Sequence, residues 1–585
     1  MVNKKYFSFH NLAVFLLIVI TFVVYFGSLK NEFVWDDFLV IVNNNFIKSW
    51  NNFCQLFNKS YLTSPSQIRY LEVINIGSGE SSYRPVVTLT YFIDYFFYKL
   101  NPWGYHLTNL LLHILNVLLL YFLIRLITQN NIIALLAGLL FAVHPVNTEA
   151  VDVITFREDL LCFLFFVSSF VLFIKSANSL KKRNLFYSLS LFFFFLALFS
   201  KEMAVSLPLI ILLYFLLFRE RTGIEFTTFR KYFLGYSLIL AFYLYIRFVI
   251  FNIDEPLGRY IADNLYINFL NMVRVAAQYI QWLVFPINIY VALPENPARL
   301  CYSLFDVRVL SSLALIVFIL ILGIRAYKSS KYLSFSIFWF FITLLPVANI
   351  VPIVNYMACR YLYLPLPGFC LLFSILIFRL FNVYSFRFFK ITLVILILLF
   401  YSTFTINRHP VWRNDFSLAL EMLKIYPDNP SVHRGVGVLL ERAGFLDLAI
   451  KEHKKAVALK SDYVEAHNRL GCVYYKKGLI DKAIQEFKKA IKLDPSFGEA
   501  YANIGVAFIK KGLYKEAVKY LKQGINLDPK YVFNYNNLAI AYIELGRFEE
   551  AKKTWQKALE IEPDFETAQK NLNRLKEEHL ELFKD

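Results

Sequence analysis

Two adjacent carboxylates, Asp36 and Asp37, stand in the stretch Glu32-Phe-Val-Trp-Asp-Asp-Phe, just past the first apolar run of the chain. Neighbouring side chains point apart, so one of the pair can face a cavity while the other anchors backbone. A carboxylate at the edge of an apolar setting can act as a general base toward a hydroxyl. It can equally help hold a divalent cation through oxygen ligands, and both uses are open. Read alone, the pair is more simply a helix cap or a turn.

More ionisable groups fall at the ends of apolar runs. They are Arg84, ahead of Pro85; Glu149, in His144-Pro-Val-Asn-Thr-Glu-Ala-Val-Asp; Arg157 and Asp159, in Arg157-Glu-Asp; Lys201 and Glu202, after Ser200; and Arg360 and Tyr363, in Arg360-Tyr-Leu-Tyr. Singly, each reads as a loop charge or cap. Ionisable groups at membrane depth are costly and mark functional sites. Arg and Lys suit a phosphate, and acids suit hydroxyls. A lipid-linked sugar phosphate presents both at that depth.

The elements that must position these groups are apolar spans. Of the 585 residues, 58% are hydrophobic and 18% charged, against about 45–50% and about 25% in soluble domains, so the chain is a membrane protein. Runs of about 17–25 apolar residues lie near 12–26, 105–127, 131–147, 158–176, 185–200, 203–218, 231–250, 307–325, 333–350, 361–381 and 389–407. That predicts 11 spans in a membrane domain over 1–408, with one long outer loop over 30–104. An apolar helix near 265–285 carries Arg274, Gln278 and Gln281 and reads as interfacial or re-entrant. Basic clusters at Lys4/Lys5, Lys175/Lys181/Lys182/Arg183, Arg219/Arg221/Arg230/Lys231, Arg325/Lys328/Lys331 and Arg379/Arg387/Lys390 share one side if the N-terminus is cytoplasmic. The same scheme puts the candidate charges and everything after Asn407 on the outer face.

After Arg408 a 34-residue period begins. Gly437, Gly471, Gly505 and Ala539 repeat at that spacing; so do Gly444, Gly478, Gly512 and Gly546, then Ala449, Ala483, Ala517 and Ala551. Ser461, Pro495, Pro529 and Pro563 close each unit. This is the tetratricopeptide pattern of paired helices. It gives a partial repeat from Asp415 to Pro427, four full repeats and a capping helix within 409–585. Such an α-solenoid binds extended segments in a concave groove, which implies a protein partner.

The net charge of +18 does not make this a nucleic-acid binder, because the basic residues flank apolar spans or lie on polar helix faces. No Walker A loop, GxGxxG, HExxH or GxSxG motif occurs in a fitting context. Nucleotide-driven transport and soluble sugar-nucleotide transfer are therefore disfavoured. The six cysteines show no metal spacing, and a Cys301–Cys359 disulfide stays open.

The order of motifs resembles a known family. The acidic pair after helix 1 is followed by Tyr83-Arg-Pro85, Gly104-Tyr-His106, His144-Pro145 with Thr148-Glu-Ala150, Arg157-Glu-Asp159, Ser200-Lys-Glu202, Arg360-Tyr-Leu-Tyr363 and C-terminal repeats. That order is similar to the transmembrane and tetratricopeptide-repeat proteins, whose eukaryotic members are protein O-mannosyltransferases, and the chain looks like a bacterial relative. The resemblance implies an all-α, GT-C type membrane domain. It also implies transfer of a sugar from a polyprenyl-phosphate carrier to a hydroxyl of a polypeptide or glycan on the non-cytoplasmic face, in a bacterial inner membrane. Asp36 and Asp37 are then the catalytic pair. From charge and position, Arg84, Arg157, Lys201 and Arg360 are expected to contact the carrier phosphate, with Glu149, Asp159, Glu202 and Tyr363 beside them in the substrate site. The expected donor is a lipid-linked sugar; no cofactor is implied, and a divalent metal remains open. The alternative is a non-enzymatic repeat scaffold for envelope assembly.

Overall fold

The computed structural model describes residues 2–57, 84–179, 181–222, 225–250, 260–287, 289, 300–353, 355–383, 387–563 and 565–583. Every element among them is a helix. The first compact unit runs to Leu418 and the second starts at Ala419. The stretch 409–418, read above with the repeats, packs with the first unit.

In chain order the first unit holds α1 (Val2–Tyr25), α2 (Pro85–Tyr98), α3 (Pro102–Thr128), α4 (Asn131–Val143), α5 (Thr148–Asp152), α6 (Arg157–Asn178), α7 (Arg183–Leu198), α8 (Leu207–Thr222) and α9 (Phe226–Tyr245). It continues with α10 (Leu265–Val284), α11 (Val307–Ser329), α12 (Lys331–Leu344), α13 (Leu366–Val383) and α14 (Arg387–Arg408). Each of the 11 expected spans contains a helix, but the count of full-length spans is lower. Among the described residues, seven segments are long and apolar enough to cross a bilayer alone: Phe9–Lys30, Pro102–Thr128, Ile154–Asn178, Glu202–Glu220, Phe226–Ile250, Val307–Ser329 and Lys390–Trp412. An eighth forms if Asn131–Val143 and Pro145–Asp152, bent by 51°, count as one. Arg183–Leu198, Lys331–Val347 and Leu366–Leu380 are apolar but shorter. Hydropathy over a window registers neither where a helix breaks nor how short it is, so the apolar runs outnumber the full-length helices. Amphipathic α10 is in neither group.

Local chemistry sets the turns between spans. Asn101 caps α3 by accepting the Trp103 amide, with Pro102 in the first turn, where its missing N–H costs nothing. Asn130 accepts the Ile132 and Ile133 amides and starts α4 two residues after α3 ends. Small and polar residues join the helices where apolar attraction is weak, as expected in lipid. Leu17 of α1 packs onto Gly138, where an added methyl would sit 3.0 Å away. Ser169 donates to the Ser190 carbonyl at 2.7 Å, and Ser190 shares a 2.5 Å hydrogen bond with the Tyr236 hydroxyl, linking α6, α7 and α9. All six cysteines are free thiols, so no Cys301–Cys359 disulfide forms; the Cys301 thiol instead donates to Asp306 at 3.1 Å.

The second unit holds the helix pairs α16/α17 (Pro430–Arg442, Leu446–Leu459), α18/α19 (Val464–Lys476, Ile480–Leu493), α20/α21 (Gly498–Lys510, Tyr514–Leu527) and α22/α23 (Val532–Glu544, Phe548–Ile561), then α24 (Glu566–Glu578). The helix over Asp415–Ile425, α15, precedes them. The two glycine series divide their work. Gly471 packs under the Phe487 ring, 2.5 Å from where a Cβ would stand, while Gly478 turns the chain at φ +80° in open space. A second periodic device was not read from the sequence. At the same place in successive units a side chain donates to the carbonyl six residues back: His433 to Pro427, His467 to Ser461, Tyr501 to Pro495, Tyr535 to Pro529 and Gln569 to Pro563. Three kinds of side chain perform one task, so the position does not look periodic in sequence.

Candidate active site

Past α1, the chain makes a short 3-10 turn (Phe26–Lys30) and enters the acidic loop. The two aspartates have different surroundings. Asp37 is fully buried, and its carboxylate accepts the Val34 amide at 3.0 Å and the Thr155 amide at 2.9 Å. It closes its own turn and pins that turn to the segment before α6. Burial pushes its pKa up to about 7, despite the two amides that favour the anion, and the Asp415 carboxylate adds to the rise. Asp36 is 6% exposed; its backbone carbonyl accepts the Leu39 and Val40 amides. Between Val34 and Asp36, Trp35 adopts φ +53°.

Residues 155–159 hold the site together. Thr155 grips Asp37, as described. Phe156 lies under the Arg360 guanidinium at 3.9 Å. Arg157 is fully buried and tied on every side: to Asp94 at 2.6 Å, Asn109 at 2.7 Å, Thr90 at 3.1 Å and the Tyr105 carbonyl at 3.1 Å, with the Tyr91 ring 5.1 Å away. These partners come from α2 and α3, so Arg157 fastens both helices to the start of α6. Its geometry is that of an internal tie rather than of a group waiting for a phosphate.

Glu158 and Asp159 open onto an ion network. Arg84 pairs with Glu158 and, at 2.9 Å, with Glu202. Lys201 bridges Glu158 at 2.9 Å and Asp159 at 2.6 Å. Arg247, just past α9, holds Glu202 at 2.6 Å and the Tyr243 hydroxyl at 2.8 Å. Close by, Glu149 at the start of α5 accepts both the Arg360 guanidinium (2.5 Å) and the Arg360 amide (3.0 Å). Arg84, Glu149, Asp159, Lys201, Glu202 and Arg360 are thus all engaged in ion pairs around the residues 155–159. Glu202 is the most open acid of the network, with 31% of its side chain exposed. Buried like-signed groups are tolerated here because each faces an opposite charge.

Tyr363 stands apart from these charges. Its hydroxyl meets His113 Nδ1 at 2.7 Å and the Asn116 amide at 3.1 Å, among Phe141 and Phe163 in the core. Two structural groups were missed by sequence reading. Arg247 is a lone charge ending an apolar run, and that isolation was itself the available signal. Asp94, a lone acid within an apolar helix, carried the same signal; Thr90 and Asn109 gave none, because neutral polar residues in apolar helices are common. Among the described residues, no group of three or more His, Cys, Asp or Glu side chains is placed to hold a metal ion.

Residues 85–246 match the family model described as dolichyl-phosphate-mannose-protein mannosyltransferase. Tetratricopeptide repeat models match 442–478, 473–512, 498–531 and 534–565. The chain is 28% identical over 461 residues to protein O-mannosyl-transferase F38B6.6 of Caenorhabditis elegans, covering 77% of this chain and 63% of that one. It is 25% identical over 486 residues to protein O-mannosyl-transferase TMTC3 of Homo sapiens, covering 76% and 51%. Against human TMTC4 the identity is 26% over 478 residues, covering 72% and 63%. The chain therefore spans between 51% and 63% of the length of these relatives. One chain thus carries a segment similar to a mannosyltransferase family model and a run of tetratricopeptide repeats, and the relatives it matches are named protein O-mannosyl-transferases.

Proposed function

We propose that the membrane unit is a glycosyltransferase. It moves a sugar, mannose by the names of its relatives, from a polyprenyl-phosphate carrier to a Ser or Thr hydroxyl on the non-cytoplasmic face. The observation that carries this reading is the unequal setting of the acidic pair: the Asp37 carboxylate holds the Val34 and Thr155 amides, and Asp36, beside it at 6% exposure, is assigned as the base. Asp36 takes the hydroxyl proton as the acceptor oxygen bonds to the anomeric carbon. The bond from that carbon to the phosphate oxygen breaks on the opposite side, the anomeric centre inverts, and polyprenyl phosphate departs.

Negative charge grows on the departing phosphate. Arg84, Lys201 and Arg247 are the cations that answer it, preset by Glu158, Asp159 and Glu202 so that they need no rearrangement at the moment of transfer. Glu202, the most exposed acid, is the partner that Arg84 and Arg247 give up as the phosphate arrives. Arg360 and Glu149 keep the wall of this site in register, and Arg157 and Tyr363 support it from behind. The repeats hold the acceptor polypeptide in extended form.

The test is mass spectrometry of outer-compartment proteins and envelope glycans, comparing wild type with Asp36→Asn at matched expression. Loss of hexose from Ser or Thr supports transfer to protein, and loss from a glycan moves the acceptor class. No change, with the variant folded in the membrane, removes the acidic pair from chemistry and leaves the repeat scaffold as the better reading.

A further inference from the structure

The chain leaving α14 turns back along the acidic loop. His409 sits against Gly27, where an added Cβ would lie 3.1 Å from the ring. Its ring nitrogens donate to Asp152 at 2.7 Å and to the Val24 carbonyl at 2.8 Å. Further along, the Arg413 carbonyl accepts the Glu32 amide at 2.9 Å, and Asp415 Oδ1 accepts the Trp35 amide at 2.8 Å. The stretch from His409 to Asp415, which belongs to the membrane unit, therefore touches the end of α1 and two residues of the loop.

The last of these contacts falls on a strained residue. Trp35 holds φ +53°, a left-handed conformation that strains a residue with a Cβ. A hydrogen bond to a charged acceptor is among the stronger kinds, and here it holds that turn. Asp36 follows Trp35 directly, so the direction of its carboxylate depends on that conformation. The other flank is already fixed by Asp37 on Thr155.

We propose that Asp415 is a positioning residue for Asp36: its carboxylate holds the Trp35 amide and, through it, the left-handed turn that aims the Asp36 side chain. This rests on the reading of Asp36 as the base. The segment leading into the repeats is then part of the reaction site's frame, not a tether.

The test uses the full-length chain in nanodiscs: wild type, Asp415→Ala, Asp415→Asn and Asp36→Asn. One readout is mannose transfer from a polyprenyl-phosphate mannose to a Ser/Thr peptide, with kcat and KM separated. The other is backbone hydrogen exchange over residues 31–42, followed by mass spectrometry. Asp415→Ala is expected to lower kcat on the order of 100-fold, as a misplaced catalytic group does, with donor KM within about twofold, and to speed exchange in the loop alone. Asp415→Asn keeps an oxygen for the Trp35 amide, so its kcat stays within about threefold of wild type and loop exchange is unchanged. If Asp415→Ala does not accumulate, Asp415→Ser, too short to reach that amide, takes its place with the same expectation. Wild-type exchange and kcat in the Ala variant overturn the proposal, as does a rise in KM in place of the fall in kcat, or an equal loss in the Asn variant. Full transfer by Asp36→Asn overturns the chemical reading instead, and loop exchange then decides the role of Asp415 by itself.

Discussion

The carboxylate of Asp37 and the backbone amide of Thr155 lie 2.9 Å apart across 118 positions of the chain. That single contact joins the acidic loop to the stretch whose next four residues organise the ion network. It also separates the fates of the two aspartates.

Asp36→Asn should abolish transfer while the protein accumulates and melts like wild type. Asp37→Asn should behave in the opposite way. An amide side chain offers one oxygen where two N–H groups now donate, and leaves an amide facing an amide. An unsatisfied buried group of this kind costs about 1–3 kcal/mol. Thermal unfolding of the two purified variants, read beside transfer activity, separates the roles.

A pH dependence follows from Asp37. Its folded pKa, about 7, lies above its ordinary value of 3.8, so the folded state binds this proton more tightly than the unfolded one. The stabilisation is complete below pH 4, declines as pH rises, and is lost once pH passes 7. The difference in unfolding temperature between wild type and Asp37→Asn, measured from pH 4.5 to 8.5, should shift against wild type as pH rises. A flat difference refutes it.

Arg157→Ala should be severe and structural. It strands Asp94, whose side chain is 4% exposed. Breaking a buried pair by removing one partner costs about 3–5 kcal/mol. Arg157→Lys should recover part of that, since lysine keeps the charge but cannot reach Asn109, Thr90 and the Tyr105 carbonyl together. Removing Asp94 as well, in Arg157→Met/Asp94→Leu, should recover more accumulation than Lys does.

Arg247→Ala should raise the donor KM about tenfold or more with the acceptor KM unchanged, because one charge-assisted phosphate contact is worth about 1.5–3 kcal/mol. Binding of polyprenyl phosphate alone should weaken in parallel. An unchanged affinity for it would place the phosphate elsewhere.

In the repeats, Gly471→Ala should destabilise by about 1–3 kcal/mol through overpacking against Phe487. Phe487→Leu in the same chain should relieve part of it. Local hydrogen exchange in α18 and α19 is the readout, since each repeat contacts only its neighbours.

How much of this was legible beforehand depended on the range of the contacts involved. The repeats declare themselves because Gly471 and Phe487 meet within one unit, and a local period records local contacts. The acidic pair was visible as two charges in an aromatic setting. Its division of labour was not, since the second donor to Asp37 comes from Thr155. Arg157 reads as a phosphate contact by charge alone; only the fold brings Asp94 and Asn109 to it. Arg84, Lys201 and Glu202 were marked singly, but that Arg84 bridges Glu158 and Glu202 requires α6 and the turn before α8 to meet. Tyr363 was marked for its place beside Arg360, yet its hydroxyl goes into the core to His113 and Asn116, which only the fold brings to it.

The short helices carry one more consequence. α7 has 16 residues and α12 has 14, so they are ~24 Å and ~21 Å long at 1.5 Å per residue. The hydrocarbon layer of a bilayer is about 30 Å thick. Where such elements stand beside full-length helices, the membrane accommodates the mismatch by thinning around them. α7 ends three residues before Lys201, so the leaflet thins beside the ion network. A lipid headgroup there sits deeper than its neighbours, and under the proposed function a lipid-linked donor would meet the network by a dip in the bilayer rather than by climbing out of it.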